Sequence, residues 1–110
     1  MAEPRQALVA LFNQCMDKIN AGIAGTAAIV DTTNYGDYDC LVNLTLDKFS
    51  CSFSLEGSID TRGEPLIIMT FRATNYKLLN INYITTRTID ELMDEYVRQM
   101  QSSYVAFAGL

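Results

Sequence analysis

The chain of 110 residues contains no histidine. Histidine is the commonest general base, metal ligand and pH-sensitive group in proteins. Its absence excludes a Ser-His-Asp or Cys-His catalytic set within one chain. The glycine-rich GxxxxGK[ST] and GxGxxG motifs that bind phosphates are also missing. These absences predict a protein that is not an enzyme and that carries no cofactor.

Cysteine is scarce, with Cys15, Cys40 and Cys51 well separated in the sequence. Three separated cysteines without histidine are too few for an ordinary structural zinc site. All three fall on predicted core faces, where cysteine behaves as a small hydrophobic residue. We therefore expect buried free thiols rather than a disulfide or a reactive group, since reactivity needs exposure and a lowered pKa.

Positive charge is also sparse, because eight basic residues stand against 13 acidic ones and the net charge is -5. The basic residues are scattered along the chain, so no basic stripe forms. This composition disfavours binding to nucleic acid, whose affinity comes largely from lysine and arginine, and to acidic membranes. The sequence begins with no apolar run of the signal-peptide type and has none near the roughly 20 residues that span a bilayer. The predicted location is cytoplasmic.

The apolar fraction of 49% is typical of a globular chain, and the length fits a single α+β domain over residues 1–110. We predict a five-stranded antiparallel meander with the N-terminal and C-terminal helices packed on one face, in the order α-β-β-β-β-β-α. The first helix is expected at residues 4–21 and the last to begin after the capping-box sequence Thr88-Ile89-Asp90-Glu91. The strands are expected at residues 26–33, 38–46, 49–55, 66–73 and 77–85.

Strict alternation of apolar and polar residues marks the second and third strands. Such alternation indicates one buried and one outward face. A two-residue loop at Asp47-Lys48 would pair Leu44 with Cys51 and Val42 with Phe53, with all apolar partners on one face. Asn34-Tyr35-Gly36-Asp37 and residues 60–64 are expected to be turns.

The fourth and fifth strands are predicted to form a hairpin around Thr74-Asn75-Tyr76. In this register the alternating apolar residues of the fourth strand point inward, opposite Leu79, Ile81 and Tyr83 of the fifth strand. Arg72 would then face outward together with Asn80 and Asn82. The residues predicted to point inward from the two strands are Ile67, Met69, Phe71, Leu79, Ile81 and Tyr83.

The outward face of the predicted sheet is nearly free of charge, with Arg72 as its main charged residue. Depletion of charge with arginine retained is the compositional signal of an interface, although hydroxyl residues also simply suit strands. We interpret the face as a protein-binding surface. Its predicted members are Leu41, Asn43, Thr45, Ser50, Ser52, Ser54, Ile68, Thr70, Arg72, Asn80 and Asn82.

Three carboxylates, Asp31, Asp37 and Asp39, lie around the predicted turn. A divalent cation is one interpretation, but the spacing fails the EF-hand pattern because Thr33, Tyr35 and Val42 occupy ligand positions. The other interpretation is turn chemistry together with charges that block unwanted strand pairing. The sequence leaves this choice open, and we predict no metal site.

These features favour a non-catalytic module that binds a protein partner or forms a homodimer. The alternative is a small-ligand-binding domain with a pocket between helix and sheet, where Tyr96, Tyr104 and methionines could line it. An anion site where Arg72 stands beside Asn80 and Asn82 is a second form of that alternative.

In size and charge the chain is similar to the acidic, dimeric α+β chaperones of bacterial secretion systems, although the strand order differs. A small acidic adaptor or a phage-encoded inhibitor fits the same properties. The similarity rests on size and charge and not on a shared motif, so no family is assigned from it.

Overall fold

The computed structural model describes residues 4–24, 28–46, 49–73 and 78–108, with side chains for 5–24, 28–45, 50–73 and 79–102. It contains two helices and five strands in the predicted order. Neither described helix is long and apolar enough to cross a bilayer. The elements are α1 (Pro4–Ile23), β1 (Ile29–Gly36), β2 (Asp39–Leu46), β3 (Phe49–Ile59), β4 (Pro65–Ala73), β5 (Leu78–Ile84) and α2 (Ile89–Ala108).

The sheet is an antiparallel meander in which neighbouring strands follow one another along the chain, β1-β2-β3-β4-β5. The predicted register of β2 on β3 is confirmed, because Leu44 pairs with Cys51 and Val42 with Phe53. Leu46 pairs with Phe49 as expected. The predicted loop residues Asp47 and Lys48 lie outside the described part of the chain.

The predicted faces of β5 are wrong. Met69 pairs with Asn82 and Phe71 with Asn80, so the two asparagines point to the same side as the core residues of β4. Leu79, Ile81 and Tyr83 point outward and are 50%, 60% and 63% exposed. The register leaves four residues between Ala73 and Leu78, where the prediction had allowed three, and a one-residue shift turns every side chain of a strand over. The predicted turn Thr74-Asn75-Tyr76 itself lies outside the described residues.

The first strand lies later in the chain than predicted, and it is exposed along its whole length. It continues through Asn34 and Gly36, where an irregularity in its pairing with β2 replaces the predicted four-residue turn. Neither helix covers it, since α1 packs on β3 and β4 while α2 contacts β3 and β5. One edge of the sheet therefore projects beyond the helical layer.

The core lies between the helices and the inner face of β2, β3 and β4. Phe53 and Phe71 are fully buried at its centre, with ring centroids 5.0 Å apart. The ring of Tyr96 in α2 packs against the Phe71 ring, with a distance of 6.1 Å between the two ring centroids. The expected apolar faces of both helices supply the other side of this core, including Leu8, Leu11, Cys15 and Ile19 of α1 and Met93 and Met100 of α2.

The two helices meet closely at Gly22, which is buried against Val97. A Cβ atom at position 22 would overlap Val97 Cγ1. Gln101 Nε2 donates to the Gly22 carbonyl at 3.2 Å. Lys18 lies 3.4 Å from Asp90 and 3.0 Å from Asp94 across the same contact, and the hydrogen bond to Asp94 raises the Lys18 pKa. Because Gly22 has no side chain, α1 and α2 can approach each other closely at this position.

Local hydrogen bonds close the turn before β4 and the turn after β5. The Asp60 carboxylate accepts from the backbone amides of Arg62 and Glu64 at 2.8 and 2.9 Å, and Gly63 takes a positive φ of 80°. This confirms the turn predicted at residues 60–64. Before α2, the Thr88 hydroxyl accepts from the Thr85 amide at 2.9 Å.

We expect Gly22→Ala to destabilise the protein although alanine is the better helix former by about 1 kcal/mol. The added methyl group would force Val97 or α2 to move, and overpacking of this kind costs about 1–3 kcal/mol. Urea unfolding measures the net loss. Val97→Ala introduced into Gly22→Ala should recover much of it, and Gly36→Ala, with open space around position 36, should change stability by less than about 0.5 kcal/mol. A Gly22→Ala protein as stable as the native chain would contradict the close helix contact.

Candidate interaction surface

The side of the sheet opposite the helices, called the outer face below, holds the predicted interface residues with two exceptions. The strand registers place these residues in cross-strand rows. Asn43, Ser52 and Arg72 share one row, while Leu41, Ser54 and Thr70 share the next. The residues that the structure confirms on this face are Leu41, Asn43, Thr45, Ser50, Ser52, Ser54, Ile68, Thr70 and Arg72.

Asn80 and Asn82 are the two exceptions, because the register of β5 turns them toward α2. The Asn80 amide donates to Gln99 Oε1 at 3.0 Å, and Asn82 is hydrogen-bonded to the Tyr96 side chain. Their side chains are used to join β5 to the helix. The predicted placement of both asparagines beside Arg72 is therefore wrong, because Arg72 lies on the opposite face.

The shift of β5 brings three large apolar side chains onto the outer face, Leu79, Ile81 and Tyr83. Sequence reasoning had assigned them to the core. The spacing of Asn80 and Asn82 could have indicated the observed register. These asparagines also alternate along the strand, and they can form hydrogen bonds with polar side chains of a helix, such as Gln99. On the other edge, β1 adds Ile29, Asp31 and Thr33, which pair with Thr45, Asn43 and Leu41.

The middle of the outer face is a shallow hollow of about 470 Å³. Small serine side chains of β3 form its floor, because Ser50, Ser52 and Ser54 all line it. Leu41 and Arg72 border it on either side. This arrangement offers hydroxyl groups and one guanidinium group over a concave surface, and none of the described lining residues is a carboxylate.

Charges on the outer face are few, and its acidic residues lie apart from Arg72. Arg72 is exposed, and so are Asp31 and Glu56, whose pairing with Asn43 and Ile68 puts them on this face. Asp39 pairs with Glu56 in the same row. Within the described residues, neither Arg72 nor Glu56 takes part in an ion pair. Arg72 and Glu56 therefore have no ion-pair partner on the described part of this face.

A smaller pocket of about 170 Å³ lies between β5 and α2. It is lined by Asn80, Asn82, Tyr96 and Gln99, together with Leu92, Glu95 and Ile81. Burial raises the pKa of Tyr96, and the hydrogen bond from Asn82 opposes that rise. Met93 and Met100 are buried in the core, and the Tyr104 side chain lies outside the described part. Most of the polar side chains that line this pocket form hydrogen bonds with one another.

The three aspartates around β1 do not form a cation site in the described chain. The Asp37 carboxylate accepts from Arg5 Nη2 at 2.8 Å, in an exposed ion pair that ties the start of α1 to the β1–β2 connection. Asp31 and Asp39 point outward from different rows of the sheet. Among the residues described, no three carboxylate or thiol groups come together in a way that could hold a metal ion.

The cysteines are buried and free, as the sequence predicted. Burial raises the pKa of the Cys15 thiol to about 12, against the weaker effect of Lys18. Burial also raises the pKa of Cys40, whose Sγ lies 3.5 Å from Met16 Sδ. Both thiols are thus kept protonated near neutral pH, and neither is placed as a nucleophile.

We expect Cys15 to resist alkylation in the folded protein. With a pKa of about 12, roughly one thiol in ten thousand is ionised at pH 8, and the side chain is inaccessible. Iodoacetamide labelling followed by peptide mass spectrometry should show Cys15 reacting at least about a hundredfold more slowly in the native chain than in urea. Equal rates in both states would contradict the burial of this thiol.

The chain was compared with protein-family models, with curated proteins and with solved structures. None of these comparisons gave a match. What the protein does is therefore inferred from the geometry and chemistry of its own surface, beginning with the outer face.

Proposed function

We propose that the protein is a non-catalytic self-association module whose outer sheet face binds the same face of a second copy. The observation that carries this proposal is the exposure of Leu79, Ile81 and Tyr83 side by side on β5. Ile68 and Leu66 of β4 stand next to them on the same face. Exposed apolar residues that are contiguous, rather than scattered, mark an interaction site.

The remaining composition of the face supports the same proposal. Its centre consists of serine, threonine and asparagine, and Arg72 is the one basic group among its described residues. Interface cores are depleted in lysine and carboxylates while tyrosine and arginine are enriched. A solvated sheet face would carry more charge along its middle strand.

The size of the face is sufficient for a stable dimer. Five strands about 4.8 Å apart and rows of side chains about 6.8 Å apart make it about 24 Å wide and 27 Å long. The projected area is roughly 650 Å², and the accessible area of a corrugated surface exceeds its projection. Stable interfaces bury about 800 Å² on each partner. Self-association of the complete face reaches that class.

The biological role of such a module is a narrower hypothesis within this proposal. A small acidic adaptor, chaperone or inhibitor acts by binding, so each remains a prediction within it. A dimer formed through the sheets would leave α1 and α2 on its two outside surfaces, where a further protein partner could bind.

A small-ligand function is the second candidate, and the central hollow is the observation that favours it. The hollow combines Arg72 with hydroxyl groups of Ser52 and Thr70, which suits a carboxylate or phosphate. Under this alternative the native chain would be a monomer, and inorganic phosphate would raise its thermal midpoint. Replacement of Arg72 by alanine would remove that stabilisation.

Light scattering should show a dimer for the native chain and a folded monomer for the variant with Ser52→Lys and Thr70→Lys. Both substitutions lie at the centre of the face, so a face-to-face dimer would have to bury four added lysines, with their bulk and their charge, in the place of small hydroxyl groups. Like charges in an interface cost several kcal/mol. The dissociation constant should rise by a hundredfold or more.

The matched control carries Thr61→Lys and Thr86→Lys, which add the same charge at exposed turn positions away from the outer face. This variant should keep the native mass. Circular dichroism must show that both variants are folded. A native monomer at high concentration would overturn the proposal, as would a dimer that the central lysines do not weaken.

A further inference from the structure

The outer face divides into five cross-strand rows, and its central row is Thr33, Leu41, Ser54, Thr70 and Ile81. Arg72 belongs to the row on one side of it, beside Ser52 and Leu79. Glu56 belongs to the row on the other side, beside Ile68 and Tyr83. Arg72, the basic residue of this face within the described part of the chain, and Glu56 of the middle strand thus lie one row on each side of the central row.

The apolar groups are not spread evenly across these rows. Leu79, Ile81 and Tyr83 form a continuous apolar strip along β5, whereas β3 presents small hydroxyl groups and the exposed Ile29 and Tyr35 of β1 are separated by Asp31 and Thr33. When such a face binds its own copy, the apolar strip is desolvated to the greatest extent if it meets the apolar strip. That condition requires β5 to lie over β5 and β3 over β3.

With the strands of the two copies aligned, a two-fold dimer can stack these faces in two ways. An axis along the strands exchanges the edges, so that β5 lies over β1, with its Asp31 and Thr33, and Glu56 lies over Glu56 of the second copy. An axis perpendicular to the strands, through the central row, keeps every strand over its own counterpart in antiparallel direction. It also exchanges the row of Arg72 with the row of Glu56.

The charges favour the perpendicular axis as well. Within one copy Arg72 and Glu56 are separated by one strand spacing across and four residues along, about 14 Å. That distance exceeds the screening length of about 8 Å at physiological salt. In the dimer, Arg72 would stand over Ile68 of the second copy, one strand away from its Glu56. Both side chains are long enough to meet across stacked sheets about 10 Å apart.

We propose, on the basis of the self-association function above, that the two copies stack with the two-fold axis perpendicular to the strands and that Arg72 of each copy pairs with Glu56 of the other. Two identical ion pairs then flank the central row. The apolar strips of β5 cover one another, and the hollows above the serines face each other with room for bridging waters.

Charge reversal tests the pairing in the intact chain. Arg72→Glu and Glu56→Arg each place like charges opposite one another twice per dimer, so each should raise the dissociation constant by at least about tenfold. The double variant restores opposite charges and should return to within about threefold of the native value. In the arrangement with the axis along the strands, Glu56 would lie over Glu56 and near Asp39 of the second copy, so Glu56→Arg would not weaken the dimer.

The controls Arg87→Glu and Glu64→Arg make the same charge changes at exposed turn positions outside the outer face. They should dimerise as the native chain does, and circular dichroism reports whether each variant is folded. If the native chain is a dimer but Arg72→Glu and Glu56→Arg dimerise as tightly as these controls, the proposed pairing is overturned and self-association stands. A double variant as weak as the singles would also overturn it. A native monomer would instead overturn the function on which the pairing rests.

Discussion

The fold depends on the pairing of β3 with a neighbour on each side in a single consistent register. Because side chains alternate along a strand, this register puts Cys51, Phe53 and Leu55 on one face and Ser50, Ser52 and Ser54 on the other. The neighbouring strands align their own alternation with it. The apolar side then has enough area to bind two helices, and the hydroxyl side is left over. A shift by one residue would exchange the two and remove the core.

This consistency explains why most of the architecture could be predicted from sequence. The alternation in β2 and β3 has one solution, and the two amphipathic helices have one apolar face to cover. The register of β5 could not be obtained in the same way, because both of its alternating sets can be accommodated. Its asparagines find partners on α2 and its large apolar residues fit on the outside. The difference depends on one residue in a connection that carries no strong turn signal.

The candidate surface was predicted in its centre but not at its edges. The central strands fix which serines and threonines point outward, so their membership of the outer face was readable from alternation. The apolar character of the surface comes from β5, and it appears only when the register is known. The composition signal that first indicated an interface was thus correct for β2–β4 and incomplete for the edge. The three-dimensional arrangement makes the surface more apolar than the sequence suggested.

The exposure of β1 on both sides has a consequence for the dynamics of the sheet. Protection of backbone amides from exchange with solvent follows the number of buried contacts that must break for local opening. β1 is joined to the domain by its ladder with β2 and has no buried residue, whereas β3 lies beneath both helices. Opening free energies therefore rise from the β1 edge toward the middle strand. The domain can loosen at β1 while its core on β2, β3 and β4 stays folded.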